Sequence, residues 1–167
     1  STSLSTTQTW TKAFGIRCTD ASTHRQRVPS YSSPMALVAK LTEGTGTYFG
    51  VGDGVESGPF VSRIMVSLLP NQGISIDYEA TSREQGVQHR EHSILVPGPD
   101  GAYRLYIAHS ESPFVAEMAE TDPGRFVQRE PSGPYAMEVV IEVPEAGRLT
   151  YAWWWGPTGE RPVEQSK

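Results

Sequence analysis

Cysteine is almost absent from this chain: among 167 residues there is one, Cys18. A single thiol cannot build a disulfide framework, so stability must come from a packed interior. A reducing compartment fits best, and a cytoplasmic location is expected. Nothing around Cys18 would lower a thiol pKa, and it reads as an inert small residue. Basic charge is scarce as well. Fourteen lysines and arginines face 19 aspartates and glutamates, a formal net charge of −5, so no positive field exists to attract nucleic acid or anionic lipid. No apolar run approaches the roughly 18 residues of a membrane span, and no secretory h-region is visible. Gly-x-Ser-x-Gly, Walker, Cys-x-x-Cys and His-Glu-x-x-His motifs are all missing, which removes the chemistries those motifs announce.

Turn-forming residues are plentiful. Sixteen glycines and 13 prolines punctuate short runs of alternating polarity, the spacing of an all-β protein. Residues 1–9 are mostly Ser and Thr and predict a loose arm, with Trp10, Phe14 and Ile16 pinning the next segment. Thr19 to Ser33 is polar again, so 1–33 reads as an irregular arm and 34–167 as one domain. Ser33-Pro34 offers an N-cap and a first-turn proline. Met35, Leu37, Val38 and Leu41 then predict one short helix, ended by Gly44.

The remainder predicts strands: Thr45–Val51, Phe60–Leu69, Ile74–Ala80, a hairpin over 87–111, Phe114–Glu120, Arg125–Glu130, Tyr135–Val143 and Leu149–Trp155. Residues 156–167 leave room for one more. About nine or ten antiparallel strands joined by tight turns seldom stay flat. With no long crossover, an up-and-down β-barrel with an interior cavity is the expected architecture.

The hairpin carries the chemistry. Val87 to Val96 and Ala102 to Glu111 flank Pro97-Gly98-Pro99-Asp100-Gly101. Pairing Val96 with Ala102 sets His89 opposite His109 and Glu91 opposite Ile107. Because side chains alternate faces, His89, Glu91, Ser93 and Leu95 then share a face with Tyr103, Leu105, Ile107 and His109. Two imidazoles and a carboxylate on a largely apolar face are costly to bury without partners. They can form a facial metal triad, an imidazole–carboxylate pair for proton transfer, or plain core hydrogen bonds. His92 falls on the opposite, solvated face with Arg90, Ile94 and Val96, and His24 lies in a polar loop.

Tyr151, Trp153 and Trp155 alternate on one side of the last clear strand, with Trp154 on the other. Such a strip packs a barrel end or forms a flat wall for a conjugated ligand. Asp77 and Glu79 read as a solvated strand face. Gly44-x-Gly46 and Gly50-x-Gly52-x-Gly54 look like dinucleotide loops, but a turn and strand follow them where the fingerprint needs a helix.

Three segments together resemble the nitrobindin-like, fatty-acid-binding-protein-like branch of the calycin barrels. Gly46-Thr47-Tyr48-Phe49-Gly50-Val51-Gly52 is similar to that family's Gly-x-Trp-x-Gly-x-Gly strand, with Tyr48 for the tryptophan. His89-Arg90-Glu91, Leu95 and Ala108-His109 resemble its middle hairpin. Gly147-Arg148-Leu149-Thr150-Tyr151 and Gly159-Glu160-Arg161-Pro162 match its C-terminal pattern. The resemblance implies a lipocalin-like barrel with a hydrophobic cavity. In the family a histidine four residues past that proline holds haem, which serves nitric oxide or peroxynitrite chemistry; here the position is Ser166. A serine hydroxyl is not among the usual axial ligands, so neither a haem cofactor nor a metal is expected.

Three functions stay open. The first is binding of a small, mainly apolar or aromatic organic molecule, with Tyr48, Tyr103, Leu105, Ile107, Tyr151, Trp153 and Trp155 as walls. His89, Glu91 and His109 would anchor its polar part. The second is a cofactor-free cyclase or isomerase in which those three residues are catalytic. The third is a haem-binding, nitrobindin-type peroxynitrite isomerase using His89 or His109. A homodimer is compatible with each.

Overall fold

In a computed structural model of the chain, residues 10–12, 34–55, 58–131 and 134–166 are described. The expected arm over 1–9, the pinning residues Phe14 and Ile16, the cap Ser33, and Cys18 and His24 lie outside them. The elements are β1 (Trp10–Lys12), α1 (Pro34–Glu43), β2 (Gly46–Gly54), β3 (Gly58–Leu69), β4 (Gly73–Ser82) and β5 (Gly86–Pro97). They continue as β6 (Tyr103–His109), β7 (Ala116–Asp122), β8 (Arg125–Gln128), β9 (Tyr135–Glu142), β10 (Arg148–Pro157) and β11 (Val163–Ser166).

Strands β2 to β11 pair antiparallel, each with the next in sequence. The ring closes where Ser166 of β11 meets Gly54 of β2. The result is an all-β, up-and-down, nearly closed barrel with one short helix. The closing position is shared. At its other end β1 lies antiparallel to both β10 and β2, with Trp10 opposite Leu149 and Lys12 opposite Tyr48. Among the described residues, no helix is long and apolar enough to cross a membrane.

Alternation builds the interior. Phe60, Ile64 and Val66 of β3 and Ile74, Ile76, Tyr78 and Ala80 of β4 point inward and are buried. On β3 the neighbours Val61, Arg63 and Met65 face out. Leu95, Leu105, Ile107, Met118, Phe126, Val139, Ile141 and Leu149 complete a tight core. Each such side chain contributes about 1.5–3 kcal/mol of burial.

One end of the barrel is stoppered by α1. Leu37, Val38 and Leu41 are buried against the core, and Lys40 Nζ donates to the Val143 carbonyl at 3.0 Å. Gly44 ends the helix through its N–H on Lys40 O. The Tyr48 hydroxyl in turn donates to the Gly44 carbonyl. A Cβ at Gly44 would stand 2.6 Å from that hydroxyl oxygen, so any larger residue here must push the tyrosine off the helix end.

Two sequence expectations change. The β5–β6 hairpin is shifted by two residues: Pro97 pairs with Tyr103, and Glu91, not His89, lies opposite His109. Gly98 N–H bonds Ala102 O and Gly101 N–H bonds Gly98 O, so residues 98–102 make the loop and Pro97 stays in the strand. A two-residue slip keeps every side chain on its face, and the grouping of residues survives the altered register. Trp10, expected only as an anchor, starts a strand.

Two glycines separate backbone strain from steric conflict. Gly101 has φ +81° and open space where a Cβ would project, whereas at Gly124 (φ +79°) a Cβ would sit 2.3 Å from the Ile141 carbonyl oxygen. Gly101→Ala should cost about 1 kcal/mol for left-handed backbone. Gly124→Ala should cost clearly more, because the β8–β9 pairing must also shift. Urea unfolding of the two variants checks the order, and equal costs would contradict it.

Candidate functional site

The end opposite α1 is hollow. A cavity of about 980 Å³ opens there, walled by Phe60, Tyr78, Ala80, Met137, Trp153 and Trp155 and floored by His89 and His109. Two features of the strands make the space. On β2 the inward positions beyond Tyr48 are Gly50, Gly52 and Gly54, so that stretch of wall carries no side chains. The glycine run that resembles a nucleotide loop in sequence therefore leaves a barrel interior bare. The second feature is a bulge: Ala80 pairs with His89 but Thr81 pairs with Val87. Gln88 is the extra residue, and it and His89 both line the cavity although adjacent in sequence.

Below the floor lies Glu91, whose side chain is wholly buried. Four groups converge on its carboxylate. Ser93 Oγ and the Tyr151 hydroxyl donate to Oε1. Trp153 Nε1 donates to Oε2 at 3.0 Å, and His89 Nε2 stands 3.3 Å from the same oxygen. The other nitrogen of His89, Nδ1, lies 2.8 Å from Glu111 Oε2. His109 Nδ1 reaches that same oxygen at 2.9 Å. The sequence of contacts is thus Glu91, His89, Glu111, His109. The two imidazoles stack with centroids 5.8 Å apart, diagonal neighbours across the strand pair. Trp153 packs against both, and Tyr78 against His89.

These surroundings set the protonation. Burial by itself would lower the His89 pKa, but hydrogen bonds to Glu111 and Glu91, with their charges, push it up to about 9. His89 is then an imidazolium at neutral pH. Burial would raise Glu111, yet the hydrogen bonds from His109 and His89, and the charge of His89, hold its carboxyl well below the usual range. Burial, and then the charge of Glu91, push the Tyr151 phenol well above its ordinary value. Three buried polar atoms around the cavity have no hydrogen-bond partner among the described residues: His109 Nε2, Gln88 Oε1 and Gln128 Oε1.

The expected site residues divide into layers. His89, His109, Trp153 and Trp155 line the cavity. Glu91 and Tyr151 lie one layer beneath, joined to it through His89 and Trp153. Tyr48, Tyr103, Leu105 and Ile107 are buried in the packed part of the barrel and are not among the residues that line this cavity. They occupy the expected face at a different depth, because alternation gives no height along the axis. Glu111 joins the site without an expected role, although alternation continues the face of Ile107 and His109 to it at the end of the expected hairpin. Asp77 and Glu79 lie on the outside, paired with His92 and Arg90. Compared with known proteins, the chain matches no family model and no curated sequence.

The pH dependence has a definite sign. His89 is raised above 6.5 on folding, so its share of stability is complete below pH 6.5 and disappears as pH rises through about 9. The share of Glu111, whose pKa is lowered from 4.5, is present above pH 4.5 and is lost in stronger acid. Thermal unfolding should therefore show a falling midpoint between pH 6.5 and 9 that is shallower in Glu111→Gln. A slope unchanged by that substitution would contradict the assignment.

Proposed function

We propose that the protein binds a small, mainly apolar organic molecule in the open half of the barrel. The observation that carries this reading is the cavity itself, with aromatic walls above a floor of paired imidazoles and carboxylates. Sites for small molecules share this combination of large apolar area and a few placed polar groups. The rim is apolar too: Val55, Val87, Phe114 and Tyr135 are exposed around the mouth.

A calycin-like, nitrobindin-like kinship is part of this proposal; the order of strands and the helical stopper support it. Haem is not. The resemblance would set its iron-ligating histidine at Ser166, whose backbone lies in β11 between Trp153 and Gly54. The donor at that position does not fit haem iron.

One observation favours a second reading, cofactor-free proton transfer in an isomerase or cyclase. His109 has Nδ1 held by Glu111 and Nε2 unpartnered among the described residues, the arrangement in which a carboxylate orients an imidazole base.

Binding is tested with the apolar fluorophore 1-anilinonaphthalene-8-sulfonate and with naphthol. Both should shift the emission of Trp153 and Trp155 and raise the unfolding temperature by mass action. Ala80→Phe projects a ring into the chamber and should weaken the effect, as should Trp155→Ala, which removes part of the wall. Probe binding undiminished in a folded Ala80→Phe variant would refute an interior site.

A further inference from the structure

We propose that His89, His109 and Glu111 form a binding site for a first-row divalent transition-metal ion at the floor of the cavity, with Glu91 as the carboxylate that positions His89. A site for a metal goes beyond binding of an organic guest and stands or falls separately from it.

The geometry supplies the argument. Among the described residues these three offer ligand atoms that all lie within 4.8 Å of one another. The Nδ1 atoms of both histidines converge on one carboxylate oxygen, at 2.8 and 2.9 Å. Donors that share a metal at about 2.1 Å stand about 3 Å apart in an octahedron and about 3.4 Å apart in a tetrahedron. The two nitrogen–oxygen separations fall just inside the first of these. Both imidazoles are therefore already aimed at one point. Glu111 is the partner with freedom to adjust, since its side chain is about half exposed, at 49%. Drawing back toward solvent, it would admit a cation between itself and the two nitrogens and remain a ligand. As the cation enters, His89 gives up its Nδ1 proton to solvent and keeps the one facing Glu91 on Nε2, and His109 binds through Nδ1 as the tautomer that carries its single ring proton on Nε2.

The layer beneath completes the case. A metal-bound histidine ordinarily donates its other N–H to a carboxylate that fixes ring orientation and strengthens the ligand. His89 Nε2 faces Glu91 Oε2, and Glu91 is in turn held by Ser93, Tyr151 and Trp153. A fully buried carboxylate braced by three donors is more apparatus than a single core histidine requires. Two histidines and one carboxylate on one side, with the cavity on the other, is the donor set of metal sites that keep positions open for water or a guest. His109 Nε2, without a partner among the described residues, faces no equivalent brace.

The test is titration of tag-free, chelator-treated protein with Zn²⁺ and Co²⁺. Calorimetry should give one Zn²⁺ per chain, and Co²⁺ should bring visible absorption bands and quench tryptophan emission, because Trp153 packs 5.5 Å from the His109 ring. Glu111→Gln and His109→Ala should remove this binding up to millimolar metal. Glu91→Gln should weaken it by about 10–100-fold. His92→Ala, which breaks the exposed pair with Asp77 on the outer face, should leave it unchanged. Glu111 lies on the rim, so its variant is the one to confirm as folded by circular dichroism. No Zn²⁺ binding by the parent protein would overturn the proposal. So would binding equally strong in folded Glu111→Gln, or binding lost only with His92→Ala. Fluorophore binding measured in metal-free buffer reports separately on the organic guest.

Discussion

A carboxylate buried inside an apolar barrel is the constraint around which the open half of this protein is arranged. Taken alone, an ionised Glu91 would cost several kcal/mol in a medium that cannot solvate it. Ser93, Tyr151, Trp153 and His89 replace that solvation with directed hydrogen bonds. Each of these residues is thereby held in place. Trp153 cannot turn without abandoning Glu91, and it forms one cavity wall. His89 is fixed at one nitrogen by Glu91 and at the other by Glu111. Removing only the charge of Glu91 leaves donors unpaired, and the breakage of such buried pairs commonly costs about 3–5 kcal/mol. The floor of the chamber is rigid for that reason.

The barrel's two halves solve different problems with the same strands. Near α1, branched aliphatic residues from many strands meet on the axis, and the helix covers what remains. Tyr48 marks the boundary on β2. Below it the hydroxyl ties the strand to the helix end; above it three inward glycines leave space. Stability thus comes mostly from the stoppered half, which frees the other to carry unpaired polar atoms and a void. A uniformly packed barrel of this length would be more stable and would hold nothing.

Much of the architecture is legible in the sequence, for identifiable reasons. Ile74, Ile76 and Tyr78 alternate so cleanly with Ser75, Asp77 and Glu79 that the face of β4 can be assigned directly. Turn residues mark nearly every hairpin, and the helix begins where Pro34 requires. Register is less legible. The Pro97–Gly101 segment signals a turn without saying which residue closes it, and the observed pairing differs by two. Because that slip is even, the residues of the site still group on one face. Height along the barrel axis has no signal at all, so alternation alone sets Tyr103 and Ile107 at a cavity that in fact stops above them. Glu111 ends the expected hairpin on the face of His109, so alternation places it there, but only the convergence of two imidazoles gives it a role.

The charge pattern of the floor constrains any guest. His89 is a cation between two acidic side chains, so the trio carries one net negative charge when both carboxyls are ionised. An anionic headgroup brought against it would meet Glu111 at the rim before it reached His89. A neutral guest with donor groups would meet Glu111 as an acceptor at the rim, and aromatic faces elsewhere. A cation bound by the histidines reverses this logic, because it replaces protons with a larger positive charge and leaves coordination positions facing the cavity. The same chamber would then favour guests with an oxygen or nitrogen lone pair. On the proposed reading, the polarity of guest that the chamber would favour therefore depends on whether protons or a metal ion occupy the point where the two Nδ1 atoms meet.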